Sequence, residues 1–153
     1  MSDTPDRIPA EHDPASYYGA DEGMDFLLSR GGGALADRMG IAFESFTREL
    51  AVARMPVEGN TQPRGLVHGG AYVVLGESMG SMHANWLAGA GRYAVGIDIN
   101  ATHTGSATSG WVTAECRPLS VGRTVVVHEI VVTNEAGTRC STIRITNLLR
   151  DER

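Results

Sequence analysis

The chain has 153 residues, of which 42% are hydrophobic and 20% charged, and this length suits one globular domain. It is too short for a (β/α)₈ barrel, which needs about 250 residues, and its 13 basic residues are all Arg, which excludes a Lys Schiff base and the Lys of a phosphate-binding P-loop. The formal charge is -5, but residues 1–25 hold seven of the 18 acids and one Arg, so residues 26–153 carry 11 acids, 12 Arg and a net charge of +1.

The beginning of the chain predicts a tail instead of a targeting segment. Residues 1–22 contain three prolines and few large apolar side chains, so we expect them to be disordered and residues 23–150 to form a single domain. They have neither the basic nor the apolar region of a signal peptide, and no apolar run approaches the roughly 20 residues of a membrane span. The two cysteines, Cys116 and Cys140, lie far apart. We therefore expect a cytoplasmic protein that does not bind membranes.

The first half of the domain contains one dominant helix. Residues 24–28 predict a short helix that ends at the glycines of residues 31–33, residues 40–56 predict one long strand or a strand pair, and residues 57–65 a polar loop. Residues 68–88 (HGGAYVVLGESMGSMHANWLA) place apolar residues at the spacing of a helix. Glycines within it, such as Gly76 and Gly80, predict that another element approaches the helix closely.

The second half is predicted to be all β. Four β-branched runs follow the helix, at residues 93–104, 111–119, 124–133 and 138–148. No helix separates these runs, so the strands should be antiparallel and form a four-strand meander. One antiparallel sheet wrapped around one long central helix is an α+β architecture, the hotdog fold.

Two features of the long helix are suited to chemistry. Glu77 shares a helical stripe with Gly70, Val73 and Ser81, among small and apolar residues instead of charges. His68-Gly69-Gly70 stands where the helix begins, and the free N–H groups of a helix N-terminus can stabilise a developing oxyanion. Spacing alone also fits a Glu77 on a solvated helix face and a tight strand-to-helix turn at residues 68–70, so it leaves a structural role open beside a role as general base or nucleophile with an oxyanion donor.

The order of these motifs resembles a known enzyme family. Three parts of the sequence carry this resemblance: QPRGLVHGG at residues 62–70, Glu77-Ser78 with Ser81-Met82, and VGIDINATH at residues 95–103. The chain resembles the hotdog acyl-CoA thioesterases of the hydroxybenzoyl-CoA and dihydroxynaphthoyl-CoA type, the phenylacetate-degradation-like group. The resemblance covers about residues 35–150. It implies hydrolysis of an aromatic or medium-chain acyl-CoA, with CoA part of the substrate and no separate cofactor.

The resemblance also implies roles for individual residues. Glu77 would be the general base or the nucleophile, the Gly69 N–H would polarise the thioester carbonyl, and Gln62, His68 and Ser81 would complete the catalytic set. The residues implied in substrate and CoA binding are Gly70, Ser78, Met82, Val95, Gly96, His103 and Ser106. The family builds its active site across a homodimer interface, with Glu77 facing Gln62 and Gly69 of the other chain, and such dimers usually pair again into tetramers.

One position departs from the family pattern. Many relatives carry Arg two residues after the position of His103, where it meets a CoA phosphate, but this chain has Gly105. Arg123 is a candidate to replace that contact.

Other functions fit the sequence less well. The alternatives are a hotdog enoyl-CoA hydratase and a non-catalytic acyl-CoA-binding regulator. Asp98 and His103 resemble a hydratase pair, but residues five apart in a strand face opposite ways. A literal G-x-S-x-G at residues 76–80 lies within the helix, where a nucleophile elbow does not form. No pair of histidines has metal-ligand spacing, so we expect no metal and a packing or surface role for His83 and His128. We also expect no nucleic-acid partner.

Overall fold

The computed structural model describes residues 22–153. The helices are α1 (Glu22–Arg30), α2 (Ala34–Met39) and α3 (Gly69–Ala88). The strands are β1 (Ala42–Phe46), β2 (Ala51–Pro56), β3 (Arg92–His103), β4 (Trp111–Val121), β5 (Val125–Asn134) and β6 (Arg139–Asp151). The predicted tail, residues 1–22, lies outside the described residues apart from Glu22, at which α1 begins.

The six strands form one antiparallel sheet in the order β1-β2-β4-β5-β6-β3. The prediction of a consecutive four-strand meander was wrong for β3, which pairs with β6 and not with β4. Helix α3 carries the chain across the sheet, so β3 forms at the far edge, beside the last strand. The predicted α+β hotdog architecture is confirmed, and β3 is left as an edge strand of 12 residues.

Helix α3 covers one face of this sheet. His68 is its N-cap, and the helix ends at Gly89, whose positive φ of 81° favours glycine. The buried side of the helix includes Leu75 and Met79, both with no exposed surface, and burying such a side chain contributes about 1.5–3 kcal/mol. The predicted close approach is confirmed, because a methyl group at Gly76 would lie 2.8 Å from Ile143 of β6.

The region before α3 follows the sequence prediction except for one helix. Residues 40–56 form a strand pair, one of the two predicted alternatives, in which β1 and β2 are joined by a turn where the Thr47 N–H donates to the Leu50 carbonyl at 2.8 Å. Helix α2 was not predicted, since six residues leave too short a periodic pattern. No helix within residues 22–153 combines the length and the apolar character that crossing a membrane requires.

Candidate active site

The carboxylate of Glu77 lies between α3 and β3. Its Oε1 accepts a hydrogen bond from the Ser81 hydroxyl at 3.1 Å, one helical turn away, as the predicted stripe requires. A methyl group at Gly96 of β3 would come within 2.8 Å of the same oxygen. Ser81 therefore orients one carboxylate oxygen, and the glycine backbone leaves the space that this oxygen needs.

Asn147 completes this group and was missed by the sequence analysis. It is fully buried on β6, its Oδ1 lies 3.4 Å from the Ser81 hydroxyl and its Nδ2 donates to the Gly80 carbonyl at 3.5 Å. A signal was present in the sequence, because alternate residues of β6 face the helix and Asn147 occupies an inward position in line with Ile143 and Ile145. A polar residue among otherwise apolar inward positions indicates that its side chain forms hydrogen bonds inside the protein.

The N-terminus of α3 forms a second group of candidate residues. His68 caps the helix through Nδ1, which accepts from the Gly70 N–H at 2.9 Å, so the Gly70 N–H is already occupied. The N–H groups of Ala71 and Tyr72 donate to the His68 carbonyl. Within residues 22–153 the Gly69 N–H has no acceptor, which leaves it as the donor available for a ligand oxygen at the positive end of the helix.

His103 is held against this helix N-terminus. A methyl group at Gly69 would lie 2.9 Å from His103 Nε2, and the His103 ring is 5.4 Å from the ring of Tyr72. The other ring nitrogen, Nδ1, is 2.9 Å from the hydroxyl of Ser141, a buried residue of β6 that the sequence analysis also missed. These contacts fix the orientation of the ring, with Nε2 beside Gly69.

Gln62 lies in the tight turn that precedes α3. Its side-chain oxygen accepts from the Arg64 N–H at 2.6 Å, while its backbone N–H donates to the Leu66 carbonyl at 2.8 Å. An amide whose oxygen is occupied in this way presents its NH₂ group as a donor. Among the described residues this NH₂ group has no acceptor.

These contacts form two groups that are well separated within one chain. Glu77 and Gly69 are eight residues apart on the same helix, which at 1.5 Å per residue is about 12 Å along the axis. That distance is too great for the carboxylate and the N–H to act on one carbonyl group. One chain therefore holds two groups of candidate residues, the two halves of the candidate site, but does not bring them together.

The remaining predicted residues are spread along both halves. Ser78 and Met82 are half-buried on α3, and Met82 packs against the core. Val95 is exposed on β3, and its side chain points to the opposite face from Gly96. Ser106 is exposed in the loop after β3, with its carbonyl accepting from Asn134. Arg123 is exposed in the turn between β4 and β5.

A buried pair of histidines lies in the core, away from both halves. His83 Nε2 is 2.7 Å from the Thr47 carbonyl and must donate to it, so His83 Nδ1 accepts from His128 Nε2 at 2.8 Å. Burial lowers the pKa of His83, and burial together with the neighbouring His83 lowers the pKa of His128 to about 3. The ligand atoms of this pair and of Cys116 lie within 4.8 Å of one another. Both nitrogens of His83 are already hydrogen-bonded, which fits the predicted packing role.

The chain is similar to several known proteins. Residues 64–141 match the family model described as the thioesterase superfamily. Proofreading thioesterase EntH from Klebsiella pneumoniae is 47% identical over 109 residues, which are 70% of this chain and 79% of that protein. The crystal structure of a mutant of thioesterase PA1618 from Pseudomonas aeruginosa superposes with a TM-score of 0.79 at 35% identity, covering 86% of this chain and 96% of the other. The crystal structure of thioesterase HI1161 from Haemophilus influenzae superposes with a TM-score of 0.75 at 33% identity, covering 78% of this chain and 84% of the other.

Proposed function

Since the chain belongs to the thioesterase superfamily and is a thioester hydrolase, we propose that it hydrolyses acyl-CoA, with an aromatic or medium-chain acyl group, to a free acid and CoA. Two groups carry the reaction, the Glu77 carboxylate and the Gly69 N–H. The observation that carries the proposal is that the Glu77 carboxylate has a fixed orientation and that the Gly69 N–H is available to donate to a ligand oxygen. Ser81 holds one oxygen of Glu77 and Gly96 leaves space for it, and the Gly69 N–H, at a helix N-terminus, has no acceptor among residues 22–153.

The two groups would meet in a homodimer. Strand β3 is an edge strand with exposed apolar side chains, among them Val95 (43% exposed) and Ile97 (58% exposed), and such an edge pairs readily with another strand. We expect pairing of two β3 edges to bring Glu77 of one protomer opposite Gly69 and Gln62 of its partner, as the family resemblance implies. A dimer is needed because Glu77 and Gly69 are about 12 Å apart along the helix within one chain. Pairing of two dimers into a tetramer remains an expectation from the resemblance.

In this dimer the thioester carbonyl oxygen accepts a hydrogen bond from the partner's Gly69 N–H, which stabilises the oxyanion that forms on attack. By one route Glu77 takes a proton from water while the water oxygen bonds to the carbonyl carbon. By the other, Glu77 itself attacks and forms a mixed anhydride that water then cleaves. In both, the carbon–sulfur bond breaks and the CoA thiolate leaves and takes up a proton. The partner's Gln62 amide is a further donor for the carbonyl or the water.

The test is release of thiol from a panel of aromatic and aliphatic acyl-CoAs. We expect Glu77→Gln to lower kcat by about 10²–10⁴-fold, while Glu58→Gln, at an exposed position in the loop before α3, keeps normal turnover. Normal turnover by Glu77→Gln would remove Glu77 from the mechanism. Single-turnover hydrolysis in ¹⁸O-water separates the two routes, because only the anhydride route brings label into the Glu77 carboxylate.

A further inference from the structure

His103 and Ser141 form a side-chain pair beside the N-terminus of α3. The two residues stand directly opposite each other where β3 pairs with β6, so their side chains lie on the same face of the sheet. His103 Nδ1 is 2.9 Å from the hydroxyl oxygen of Ser141, which is fully buried. The ring of Tyr72 packs against the same imidazole, with 5.4 Å between the ring centroids. The imidazole therefore cannot turn without losing these contacts.

The hydrogen bond with Ser141 determines which ring nitrogen of His103 carries the proton. A neutral imidazole has one N–H donor and one acceptor nitrogen, and a hydroxyl has a single hydrogen to donate. Among residues 22–153, His103 is the only hydrogen-bond partner of the Ser141 side chain. If Nδ1–H donated to Ser141, the buried hydroxyl hydrogen would have no acceptor, which is unfavourable inside a protein. Ser141 therefore donates to Nδ1, and the hydrogen of the neutral ring is on Nε2.

The Nε2–H group of His103 is a free donor next to the Gly69 N–H. A methyl group at Gly69 would lie 2.9 Å from Nε2, so the imidazole lies against the glycine backbone where α3 begins. Neither Nε2 nor the Gly69 N–H has a hydrogen-bond partner within the described part of the chain. His103 is also exposed in the single chain, which leaves Nε2 open to a ligand. Two uncommitted N–H donors therefore lie side by side.

We propose that His103 Nε2–H is a second donor to the thioester carbonyl oxygen and that Ser141 is its positioning residue, an inference that rests on the proposed function, in which the Gly69 N–H polarises the same oxygen. Oxyanion holes combine backbone N–H groups with side-chain donors, histidine among them. The neutral ring donates a hydrogen bond and keeps its proton, so the charge stays on the oxygen until the carbon–sulfur bond breaks and the carbonyl forms again. This is a catalytic role, whereas the resemblance implies for His103 a place in substrate and CoA binding.

The first test separates kcat from KM. His103→Phe keeps a ring against Tyr72 but has no N–H group, and removal of one oxyanion donor lowers kcat about 10²–10³-fold. We expect this fall in kcat for an acyl-CoA, with KM nearly unchanged. A normal kcat with a raised KM would show that His103 only binds the substrate, and this result would overturn the proposal.

A ligand without the carbonyl oxygen provides the matching binding measurement. An S-alkyl-CoA is a thioether of the same chain length that cannot accept a hydrogen bond at the position of the thioester oxygen. Its Kd should be equal for the wild type and for His103→Phe, which also shows that the variant is folded. Weaker binding of the thioether by His103→Phe would mean that the imidazole contacts another part of the ligand, contrary to the proposal.

Ser141→Ala tests the positioning role. Loss of the hydrogen bond to Nδ1 should lower kcat about 10-fold with KM nearly unchanged, and Ser141→Thr, which keeps a hydroxyl, should recover most of the activity. The matched control is Ser45→Ala, because Ser45 is also fully buried in a strand, yet its hydroxyl has no partner among the described residues. Ser45→Ala should keep a normal kcat. Equal impairment of Ser141→Ala and Ser141→Thr would assign Ser141 a packing role and contradict its role in positioning.

NMR of the ¹⁵N-labelled imidazoles tests the tautomer without any measurement of activity. The chain has five histidines, and the signal of His103 is the one that disappears in His103→Phe. In the neutral ring we expect the proton on Nε2, and a proton on Nδ1 would overturn the proposal. A wild type that releases no thiol from any acyl-CoA contradicts the proposed function, whereas a wild-type kcat in His103→Phe contradicts only the second donor.

Mixed dimers test with which Glu77 the imidazole acts. Because His103 and Gly69 lie together in one chain, in the proposed dimer they act on the substrate with Glu77 of the other chain. A dimer of one Glu77→Ala protomer and one His103→Phe protomer then has one intact site and about half of the wild-type kcat. If this dimer were nearly inactive, His103 would act with Glu77 of its own chain, and it could not share an oxygen with the Gly69 N–H.

Discussion

The Oε1 atom of Glu77 lies directly over the α-carbon of Gly96, so close that a methyl group there would approach it to 2.8 Å. Gly96→Ala should therefore move the carboxylate while costing little stability, because the atom that must give way is the end of a flexible side chain. Displacement of a catalytic group by about 1 Å can cost up to 10²-fold in rate. We expect kcat to fall 10- to 100-fold with the midpoint of urea unfolding nearly unchanged. Gly32→Ala, far from Glu77, is the control, and an unaltered kcat in Gly96→Ala would show that the contact is irrelevant to turnover.

The Ser81 hydroxyl donates a hydrogen bond to the same carboxylate oxygen and offers a second test of its orientation. A hydrogen bond to a charged group contributes about 1.5–3 kcal/mol, so Ser81→Ala should lower kcat about 10- to 100-fold. Ser81→Thr keeps the hydroxyl and should recover most of the activity, whereas Ser120→Ala, on the exposed part of β4, should have no effect. If Ser81→Ala and Ser81→Thr were equally impaired, the role of Ser81 would be one of packing and not of hydrogen bonding.

At the glycines of α3, alanine would improve helix propensity but worsen the packing against β6. Alanine in mid-helix is favoured over glycine by about 1 kcal/mol, but a methyl group at Gly80 would clash with the Cγ2 atom of Ile145. Overpacking of this kind costs about 1–3 kcal/mol, so Gly80→Ala should destabilise the protein. Ile145→Leu removes that branch at constant volume, and the double variant should regain stability relative to Gly80→Ala in a double-mutant cycle. Simple additivity of the two changes would contradict this explanation.

The buried histidine pair predicts sensitivity to acid. Both pKa values are lower in the folded protein than the usual 6.5, so His83 and His128 are neutral when folded and bind protons on unfolding. The stability that the neutral pair contributes is therefore fully present above about pH 6.5 and is lost as pH falls below it, by about 1.4 kcal/mol per pH unit for His128, to which His83 adds in the same direction. His128→Leu should be less stable at pH 7, since His83 loses its donor, yet should lose stability less steeply between pH 6.5 and 5. Urea unfolding at several pH values measures both slopes, and equal slopes would mean that His128 is already charged in the folded state.

The sequence predicted the parts of this protein whose signal is local. Helix α3, its start at His68 and the stripe from Glu77 to Ser81 follow from spacing within one element, and so does the antiparallel arrangement of β4, β5 and β6. The position of β3 beside β6 does not, because it depends on where α3 delivers the chain. Asn147 and Ser141 were missed for the same reason. Each touches a residue more than 35 positions away, Ser81 and His103 respectively, and a single sequence does not show such pairings.

Mixed dimers also test whether the catalytic site is shared between protomers. A dimer of one Glu77→Ala protomer and one Gln62→Ala protomer should have one intact site, with Glu77 from the second chain and Gln62 from the first. We expect about half of the wild-type kcat, although each parent homodimer is strongly impaired. The control is a dimer of wild type with the double variant Glu77→Ala/Gln62→Ala, which has no intact site if the two residues act across the interface. If instead the two residues act within one chain, the outcomes are reversed, with the control half-active and the first dimer inactive. Thiol release by dimers purified through two different tags distinguishes these results, and no change in folding reproduces the reversal.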